Sequence, residues 1–289
     1  MAGRALVLGG GGVTGVAWEL GLLWGLAAAG LDLTDADLMI GTSAGSVVGA
    51  QIRSGRSLAE LYRAQLADHG GERPARISAG VLARLGWAMV RHRDPQRARA
   101  SIGTMALAAR TPTEAERRAI IEARLGTDAW PERRLVITAV DAASGEFVTF
   151  DRDGAASLVE AVGASCAVPG VWPPVTIGER RYIDGGMRSP ANADLAVDHD
   201  RVVVLAPVTA GFGSIPKQLA ALGPGVRTTV ISPDRAALRA IGRNVLDPAR
   251  RAPAARAGRA QAVAVREQVA AVWGAPAGTE QPPATSAPA

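Results

Sequence analysis

Histidine and cysteine are scarce in this sequence, which has three of the first and one of the second among its 289 residues. Cys166 therefore has no partner for a disulfide within the chain, and a lone thiol favours a reducing compartment. No group of histidine, cysteine and acidic residues has the spacing of a metal site. We expect a protein that works without a metal or any other cofactor.

The scarcity of histidine also bears on nucleophilic catalysis, because a Ser-His-Asp triad needs one. His69 and His92 lie in an arginine-rich region with a helical pattern, and His199 lies between two aspartates. None of the three follows a glycine-rich turn or stands at the far end of a predicted strand. We predict surface positions for all three, which leaves a carboxylate as the base for a serine nucleophile.

Lysine is nearly absent as well, since Lys217 is the only one and arginine carries the positive charge of a chain with net charge +5. From Asp234 to Glu267 there are eight arginines and three acidic residues. A solvated helical face explains this segment. A sharper interpretation is weak attraction to anionic lipid, so peripheral membrane contact stays open. No aromatic residue lies among these arginines, and nucleic acid is not expected as a partner.

Long apolar runs are missing too. Arg4 is followed by only four apolar residues before a series of glycines, which is too few for the core of a secretory signal. The longest apolar stretch, 16–31, is shorter than a membrane span and contains Glu19 and three glycines. It predicts a buried core helix. Together with the lone thiol, these observations favour a cytoplasmic protein whose contact with a membrane is at most peripheral.

The order of predicted elements is typical of an α/β protein. Short apolar runs at 4–8 and 38–41 predict buried strands, and helical spacing follows each of them, at 15–29 and 44–53. This strand–helix–strand–helix start favours a mostly parallel sheet with helices on its faces. Later elements are predicted as helices within 57–124, a hairpin over 135–150, a helix at 155–163, strands at 181–183, 202–205 and 228–231, and a helix over 247–273 interrupted near Pro253.

After Gly274 the composition changes to proline, alanine, threonine, serine and glutamine. Such a segment lacks the apolar residues that a core needs, and we predict that 275–289 is disordered. The motifs described below are widely separated along the rest of the chain. Residues 1–274 are therefore expected to form one domain.

A serine stands where the second predicted strand turns into a helix. The run Gly41-Thr42-Ser43-Ala44-Gly45 fits G-x-S-x-G, a sharp turn that exposes the serine above a sheet. Gly41 and Gly45 meet the need for small residues two before and two after the serine. The helix that begins at Ala44 points its positive end at Ser43, which favours alkoxide character. An ordinary helix cap would also explain the serine, but its place after an apolar strand favours a nucleophile.

A run of glycines, Gly9 to Gly12, follows the first predicted strand. Backbone N–H groups without side chains around them can face an anion, such as the oxyanion of an acyl-transfer reaction. The run from Gly10 to Gly15 equally matches G-x-G-x-x-G, the pattern of a dinucleotide site. That alternative needs an acidic residue at the end of the next strand, where Gly41-Thr42-Ser43 stand instead. Close packing of helix on strand is a third explanation.

Asp184 is the best candidate for the base. It ends the short apolar strand at 181–183, and the two glycines after it let other backbone approach. A turn stabilised by the aspartate side chain would also explain the residue. A free aspartate, with a pKa of about 4, is a weak base. Direct action on a serine therefore requires a dry site and strong stabilisation of the oxyanion.

In combination, these residues resemble the patatin-like phospholipase family, which has a glycine-rich oxyanion element, a G-x-S-x-G turn and a D-G-G or D-G-A motif in that order. A fourth segment, Ala164-Ser165-Cys166-Ala167-Val168-Pro169, is similar to the stretch that precedes the family's catalytic aspartate. The resemblance implies an α/β fold built as a three-layer α/β/α sandwich. It also implies that Ser43 and Asp184 form a catalytic dyad.

The same resemblance implies an oxyanion hole formed by the backbone N–H groups of Gly10, Gly11 and Gly12. The chain departs from the family at Thr14, where an arginine or lysine often precedes the last glycine. This weakens the case that a cation there meets a lipid phosphate. Cys166 is expected to be a small packing residue rather than a second nucleophile.

We therefore expect a serine acyl hydrolase of the lipase, phospholipase or esterase type, with a lipid or other acyl ester as substrate. Apolar residues of the helical region would either shape an acyl pocket or belong to the core: Leu82, Leu85, Trp87 and Met89. Two alternatives stay open. One is a nucleotide- or NAD(P)-binding protein that uses the glycine run, and the other is a catalytically silent relative that binds lipid. The sequence does not indicate an oligomeric state.

Overall fold

The computed structural model describes residues 3–67 and 75–274, and within them the chain forms eight β-strands and ten α-helices. The strands are β1 (Arg4–Leu8), β2 (Leu38–Gly41), β3 (Leu135–Asp141), β4 (Phe147–Phe150), β5 (Val175–Ile177), β6 (Arg180–Asp184), β7 (Arg201–Leu205) and β8 (Arg227–Ile231). The helices are α1 (Gly12–Ala28), α2 (Ala44–Arg53), α3 (Leu58–Leu66), α4 (Ala79–Arg91), α5 (Pro95–Leu107), α6 (Glu114–Leu125), α7 (Leu158–Ser165), α8 (Ile215–Ala220), α9 (Arg235–Ile241) and α10 (Arg251–Trp273).

All eight strands belong to a single mixed sheet. Its order is β5-β6-β3-β2-β1-β7-β8, and β4 also pairs with β3. The strands from β3 to β8 in this order are parallel. The pairs of β3 with β4, of β3 with β6 and of β5 with β6 are antiparallel. In the first and last thirds of the chain, helices connect the strands, and these strands form the parallel centre of the sheet. In the middle third, short hairpins connect the strands that form its antiparallel edge.

Alternation along the central strands separates two apolar faces. In β1, Leu6 and Leu8 join the larger core, which is covered by α1, α2, α3, α6, α7, α9 and α10. Ala5 and Val7 point to the other face, where Ile215 of α8 belongs to the same cluster. Because successive side chains of a strand point to opposite faces, one short strand serves both cores. The predicted three-layer α/β/α fold is confirmed.

Local sequence signals set several helix ends. Ser57 and Glu60 form a reciprocal capping box at the start of α3, and Thr113 and Glu116 form another at the start of α6, both as the sequence predicts. Pro95 begins α5, where its missing N–H removes no helical hydrogen bond. These signals mark where separate helices begin in the region between β2 and β3.

Some elements differ from the prediction. Helices α8 and α9 and strand β5 are absent from it, because elements this short give no clear periodic pattern. Helix α10 runs unbroken from Arg251, since Pro253 lies in its first turn, where no intrahelical bond is lost. The predicted disordered segment 275–289, His69 and a break expected at Gly70-Gly71 lie outside the described residues.

Helices α1 and α10 cross at backbone contact distance. A Cβ atom on Gly21 would overlap the carbonyl oxygen of Ala255, and one on Gly258 would overlap that of Trp18. Trp18 Nε1 donates a buried hydrogen bond to Gln261 Oε1 at 3.0 Å. Helix α10 thereby fixes the helix whose first turn carries the glycine run.

Helix α1 is apolar on nearly every side over its 17 residues. Helices α2, α3 and α10 pack around it, as predicted for a buried core helix. None of the helices in the described ranges combines the length and the hydropathy that crossing a bilayer requires.

We expect Gly258→Ala to lower the free energy of unfolding by about 1–3 kcal/mol, because the added methyl group overlaps α1. Gly86→Ala is the matched control, since Gly86 also lies inside a helix but a Cβ atom there meets nothing within 4 Å. Alanine at that position should raise the free energy of unfolding by about 0.5–1 kcal/mol. Urea unfolding measures both values, and equal stability of the two variants would contradict the close crossing of α1 and α10.

Candidate active site

Ser43 occupies the turn between β2 and α2. Its backbone torsions, φ 52° and ψ −113°, lie in a region that side-chain-bearing residues rarely adopt, at a cost of about 1–3 kcal/mol. Two hydrogen bonds hold this conformation. The N–H of Ser43 donates to Ser165 Oγ at 2.9 Å, and Ser46 Oγ donates to the Ser43 carbonyl at 2.7 Å. A strained residue that its surroundings fix so firmly is a candidate for function.

The two glycines around Ser43 let the turn pass close to β1. A Cβ atom on Gly45 would overlap the carbonyl oxygen of Leu8, and one on Gly41 would approach the backbone at Ser46. The N–H of Gly45 also donates to the carbonyl of Gly9 at 3.0 Å, which joins the turn to the glycine run. A larger residue at either glycine would push the serine away from the sheet.

Asp184 reaches Ser43 because β3 has β2 and β6 as successive neighbours. Gly41 at the end of β2 pairs with Ile137, and Asp184 at the end of β6 pairs with Ala139, two residues further along β3. Since β2 is parallel and β6 antiparallel to β3, the two strands run toward each other and their carboxyl ends meet. The Ser43 hydroxyl lies near enough to the Asp184 carboxyl to lower the pKa of that carboxyl.

Burial determines the proton affinity of Asp184. The carboxyl group is removed from solvent, and this desolvation raises its pKa to about 6. Three neighbours oppose the rise: the Ser43 hydroxyl, the N–H of Gly186, which donates to Asp184 Oδ1 at 2.7 Å, and the positive charge of Arg117. At neutral pH the side chain is largely ionised, yet it is a stronger base than an exposed aspartate.

A buried polar network joins the serine turn to the loop that follows the aspartate. Asn192, at φ 54°, donates from its side-chain amide to Thr42 Oγ1 at 3.0 Å and to the Gly185 carbonyl at 3.3 Å. Thr42 Oγ1 also lies 2.9 Å from Thr138 Oγ1 on β3. These three side chains are fully buried. Leaving one of their polar groups unpaired would cost about 1–3 kcal/mol, so the network fixes the relative position of the two strand ends.

Sequence reasoning did not identify Ser165 or Asn192 as site residues. Ser165 belongs to the segment 164–169, so the family resemblance was the available signal for it. Asn192 follows Ser189-Pro190-Ala191, a pattern that fits any surface turn. Its amide binds residues as far as 150 positions away in the chain, and no local pattern encodes such contacts.

The glycine run passes directly beside the serine. A Cβ atom on Gly10 would lie 3.6 Å from Ser43 Cβ. The N–H of Gly10, however, donates to the Pro190 carbonyl at 2.8 Å. Within the described part of the chain, the N–H groups of Gly11 and Gly12 have no protein acceptor, as is usual where a helix begins. Of the three glycines named from the sequence, Gly10 thus has its N–H engaged within the fold, whereas Gly11 and Gly12 do not.

Ser43 and Gly12 both line a cavity of about 370 Å³. Most of its wall consists of apolar side chains from α1, α2 and α6 and from the segments 166–172 and 246–248. The charged residues in the wall are Arg117 and Arg124, and the Arg117 guanidinium lies 4.1 Å from the centre of the Trp172 ring. A mainly apolar cavity with a few polar groups in its wall suits an acyl chain.

The apolar residues of α4 are not part of this cavity. Leu85 packs into a small core with α5 and β3, which was one of the two expectations. Leu82, Trp87 and Met89 are exposed, and they do not belong to the cavity wall. Neither expectation holds for these three residues, because the periodic pattern that predicts α4 does not show which side of the helix meets the protein.

Cys166 lies in the cavity wall with its thiol buried. Burial raises the pKa of the thiol to about 11, so the group stays neutral and is a poor nucleophile. Its Sγ donates to the Ser43 carbonyl at 3.3 Å. These observations agree with the expected packing role.

The prediction of a surface position is wrong for His199. Its side chain is buried, with Nδ1 2.9 Å from the Val197 carbonyl oxygen and the ring beside Gly3. It precedes β7, so it lies at the edge of the parallel sheet opposite to Ser43. In the described ranges, histidine, cysteine, aspartate and glutamate side chains form no group of three or more that could hold a metal ion.

Most of the chain, residues 6–197, matches the model of a family described as patatin-like phospholipase. No curated protein matches the sequence. Among solved structures, the chain is similar to VipD from Legionella pneumophila at 13% identity and a TM-score of 0.48, over 93% of this chain and 67% of that one. It is similar to the type III effector protein ExoU at 16% identity and a TM-score of 0.40, over 93% and 53%.

A further solved structure that resembles this chain contains full-length ExoU from the type III secretion system of Pseudomonas aeruginosa in complex with SpcU. The identity is 18% and the TM-score 0.39, over 92% of this chain and 53% of that one. The chain thus spans about two thirds of the length of VipD and about half of the length of ExoU.

Asp184 should make the stability of the fold depend on pH. Its pKa is raised in the folded state, so between about pH 4 and about pH 6 the unfolded chain loses this proton first and stability falls as pH rises. Below this window the group is protonated in both states, and above it the loss is complete. The free energy of unfolding of Asp184→Asn minus that of wild type should therefore be about 1–3 kcal/mol larger at about pH 7 than at about pH 4.

Urea unfolding of wild type and variant at the two pH values measures this difference. Asp153→Asn, at an exposed position, serves as the control for removal of a carboxylate. A difference between wild type and Asp184→Asn that does not change with pH would contradict the burial of an ionisable group at this position.

Proposed function

This chain belongs to the patatin-like phospholipase family, and we propose that it cleaves lipid esters with Ser43 as nucleophile and Asp184 as base. Its membership of this family supports the hydrolysis of lipid esters in general. The observation that carries the proposal is the approach of the Ser43 hydroxyl to the Asp184 carboxyl beside the glycine run. A nucleophile, a base and donors for an oxyanion are the parts that acyl transfer requires.

In the first step of the proposed reaction, Ser43 Oγ forms a bond to the carbonyl carbon of the ester while its proton passes to Asp184. The electron pair of the carbonyl double bond moves to oxygen and creates a tetrahedral oxyanion. When this intermediate collapses, the bond to the alcohol oxygen breaks and the leaving alcohol takes the proton from Asp184. The acyl group then remains on Ser43 as an ester.

The N–H groups of Gly11 and Gly12 stabilise the oxyanion in this proposal. Both lie at the start of α1, where the helix dipole adds positive potential. The N–H of Gly10 is left out, because it already donates to the Pro190 carbonyl. Loss of one oxyanion donor typically costs about 3 kcal/mol of activation free energy, so two donors supply a large part of the catalysis.

In the second half of the reaction, water attacks the acyl carbon and gives its proton to Asp184. Ser43 then leaves with that proton, and the acid product is released. A pKa of about 6 suits this exchange, since a base works best when its pKa is near the operating pH. The aspartate thus carries the proton in both halves without a histidine.

The two alternatives from the sequence are weaker. A serine next to a carboxylate beside the glycine run has no use in holding a dinucleotide, and no observation favours that assignment. A catalytically silent lipid-binding protein would not need the strained turn at Ser43. Measurable turnover of an ester would distinguish the proposed hydrolase from a silent lipid-binding protein.

Ser43→Ala should lower kcat/KM at least about 10³-fold, because it removes the nucleophile. The substrates are a panel of p-nitrophenyl esters, lysophospholipids and phospholipids. Ser54→Ala is the matched control, since Ser54 caps the other end of α2 and its Oγ donates to the Gln51 carbonyl. It should keep wild-type turnover and labelling by a fluorophosphonate probe.

Three results would count against the proposal. Labelling of Ser43→Ala equal to that of wild type would exclude this serine as the nucleophile. Full activity of Asp184→Asn would exclude the aspartate as the base. Lipid binding by wild type with no turnover of any member of the panel would favour the silent relative.

The pH dependence of the reaction should show the shifted aspartate. Only ionised Asp184 accepts the proton of Ser43, so kcat/KM should rise about tenfold per pH unit and level off above about pH 6. Chromatographic measurement of the released acid at each pH gives the profile. A midpoint near the ordinary value of about 4 would show that the base is exposed in the working enzyme.

A further inference from the structure

Helix α4 exposes an unusual number of large apolar side chains. Four of the nine large apolar residues that are exposed in the described chain lie on it, and the most exposed are Val90 at 79% and Trp87 at 63%. Ala88, on the opposite side of the helix, is buried against α5 and β3. Single exposed apolar residues are ordinary on protein surfaces, but a cluster of them marks a contact surface.

Positive charge surrounds these side chains. Residues 75–93 contain four arginines and no acidic residue. All four arginines are exposed: Arg76, Arg84, Arg91 and Arg93. The side chains of Leu82, Arg84, Trp87, Met89, Val90 and Arg91 are named here the α4 patch. An apolar stripe with a tryptophan and flanking arginines is the pattern of a helix that lies in a membrane interface.

The α4 patch is next to the cavity that Ser43 lines. Ala75, which leads into α4, belongs to the cavity wall, and its carbonyl accepts a hydrogen bond from Asn244 Nδ2 at 3.0 Å. Val81, in the first turn of α4, packs against Gly170, which lies between wall residues Val168 and Trp172. A surface that held α4 would therefore lie close to the cavity.

The arginine-rich segment from Asp234 to Glu267 is a poorer membrane contact. Several of its arginines are engaged within the fold: Arg251 donates to Gln65 Oε1, Arg259 lies over the Tyr62 ring, and Arg266 donates to the Ala29 carbonyl. These contacts assign such side chains to the packing of α10. The other segment exposes the large apolar side chains of Leu238 on α9 and Val263 on α10, whereas the α4 patch groups four such side chains on one helix.

We propose that the α4 patch docks this protein on an anionic lipid surface, with the apolar side chains in the interface and the arginines on the lipid phosphates. The proposal rests on the proposed function in one respect, since a lipid ester would be drawn from that surface into the adjacent cavity. A second copy of the chain is the less suitable occupant. A symmetric contact would set the arginines of one patch against those of the other.

Vesicle binding tests the proposal independently of turnover. The protein is the full chain with Ser43→Ala, and the vesicles are phosphatidylcholine alone or mixed in equal amounts with phosphatidylglycerol. The full chain should bind the mixed vesicles in a flotation assay. Val90→Asp should weaken this binding about tenfold or more, because it places a charge in the apolar interface. Replacement of Arg84 and Arg91 by Gln should weaken binding to the mixed vesicles about fivefold for each arginine and leave binding to phosphatidylcholine unchanged.

Two matched controls lie away from α4. Val263 on α10 is exposed at 78%, almost the same as Val90, so Val263→Asp should change binding less than about twofold. Arg235→Gln with Arg239→Gln removes two exposed arginines of the other basic segment and should have as little effect. Thermal unfolding of each variant should match the parent, since all of these side chains are on the surface.

The outcomes separate this proposal from the proposed function. Failure of the parent protein to bind mixed vesicles, or equal losses in Val90→Asp and Val263→Asp, would overturn the docking site. A dimer in sedimentation equilibrium that Val90→Asp converts to monomer would overturn it in favour of a second copy. Turnover of a water-soluble p-nitrophenyl ester, measured with Ser43 intact, should be the same with and without Val90→Asp. Absence of that turnover in wild type would refute the proposed function and leave vesicle binding to decide the docking site.

Discussion

The approach of Ser43 to Asp184 depends on how β3 pairs with its neighbouring strands. A strand residue has two neighbours in a sheet, and β4 takes one side of β3 at residues 137–140. On the other side β2 ends and β6 arrives from the opposite direction, so the serine turn and the aspartate meet within two residues of register. The mixed direction of the sheet therefore assembles the site, since a β6 parallel to β2 on this side of β3 would run away from the Ser43 turn instead of toward it.

Burial has two effects at this meeting point. It raises the pKa of Asp184 toward the pH at which a base is effective, and it obliges each neighbouring polar group to find a partner. Asn192 with Thr42 and Thr138, and Ser165 with the N–H of Ser43, answer that requirement. Exclusion of water therefore has two results. It strengthens the Asp184 carboxylate as a base, and it favours the hydrogen bonds that hold the strained turn of Ser43.

The sequence predicts the features that short stretches of chain decide. The strand before the glycines, the turn around Ser43 and the capping boxes at Ser57 and Thr113 follow from neighbouring residues, and the structure has them. What the sequence could not supply depends on distant residues. The carbonyl of Pro190 that occupies the Gly10 N–H, the amide of Asn192, the burial of His199 and the outward side of α4 are all set by tertiary contacts. The roles of Ser43 and Asp184 were predicted from the order of the motifs along the chain, and they stay predictions until ester turnover is measured.

The crossing of α1 and α10 has a consequence for biosynthesis. Helix α1 leaves the ribosome long before α10, because the backbone that covers Gly21 belongs to residues translated after position 250. At ~5–20 residues per second, the interval is on the order of tens of seconds. Throughout it, the side of this apolar helix that α10 later covers stays exposed and needs shielding by a chaperone or by the growing sheet.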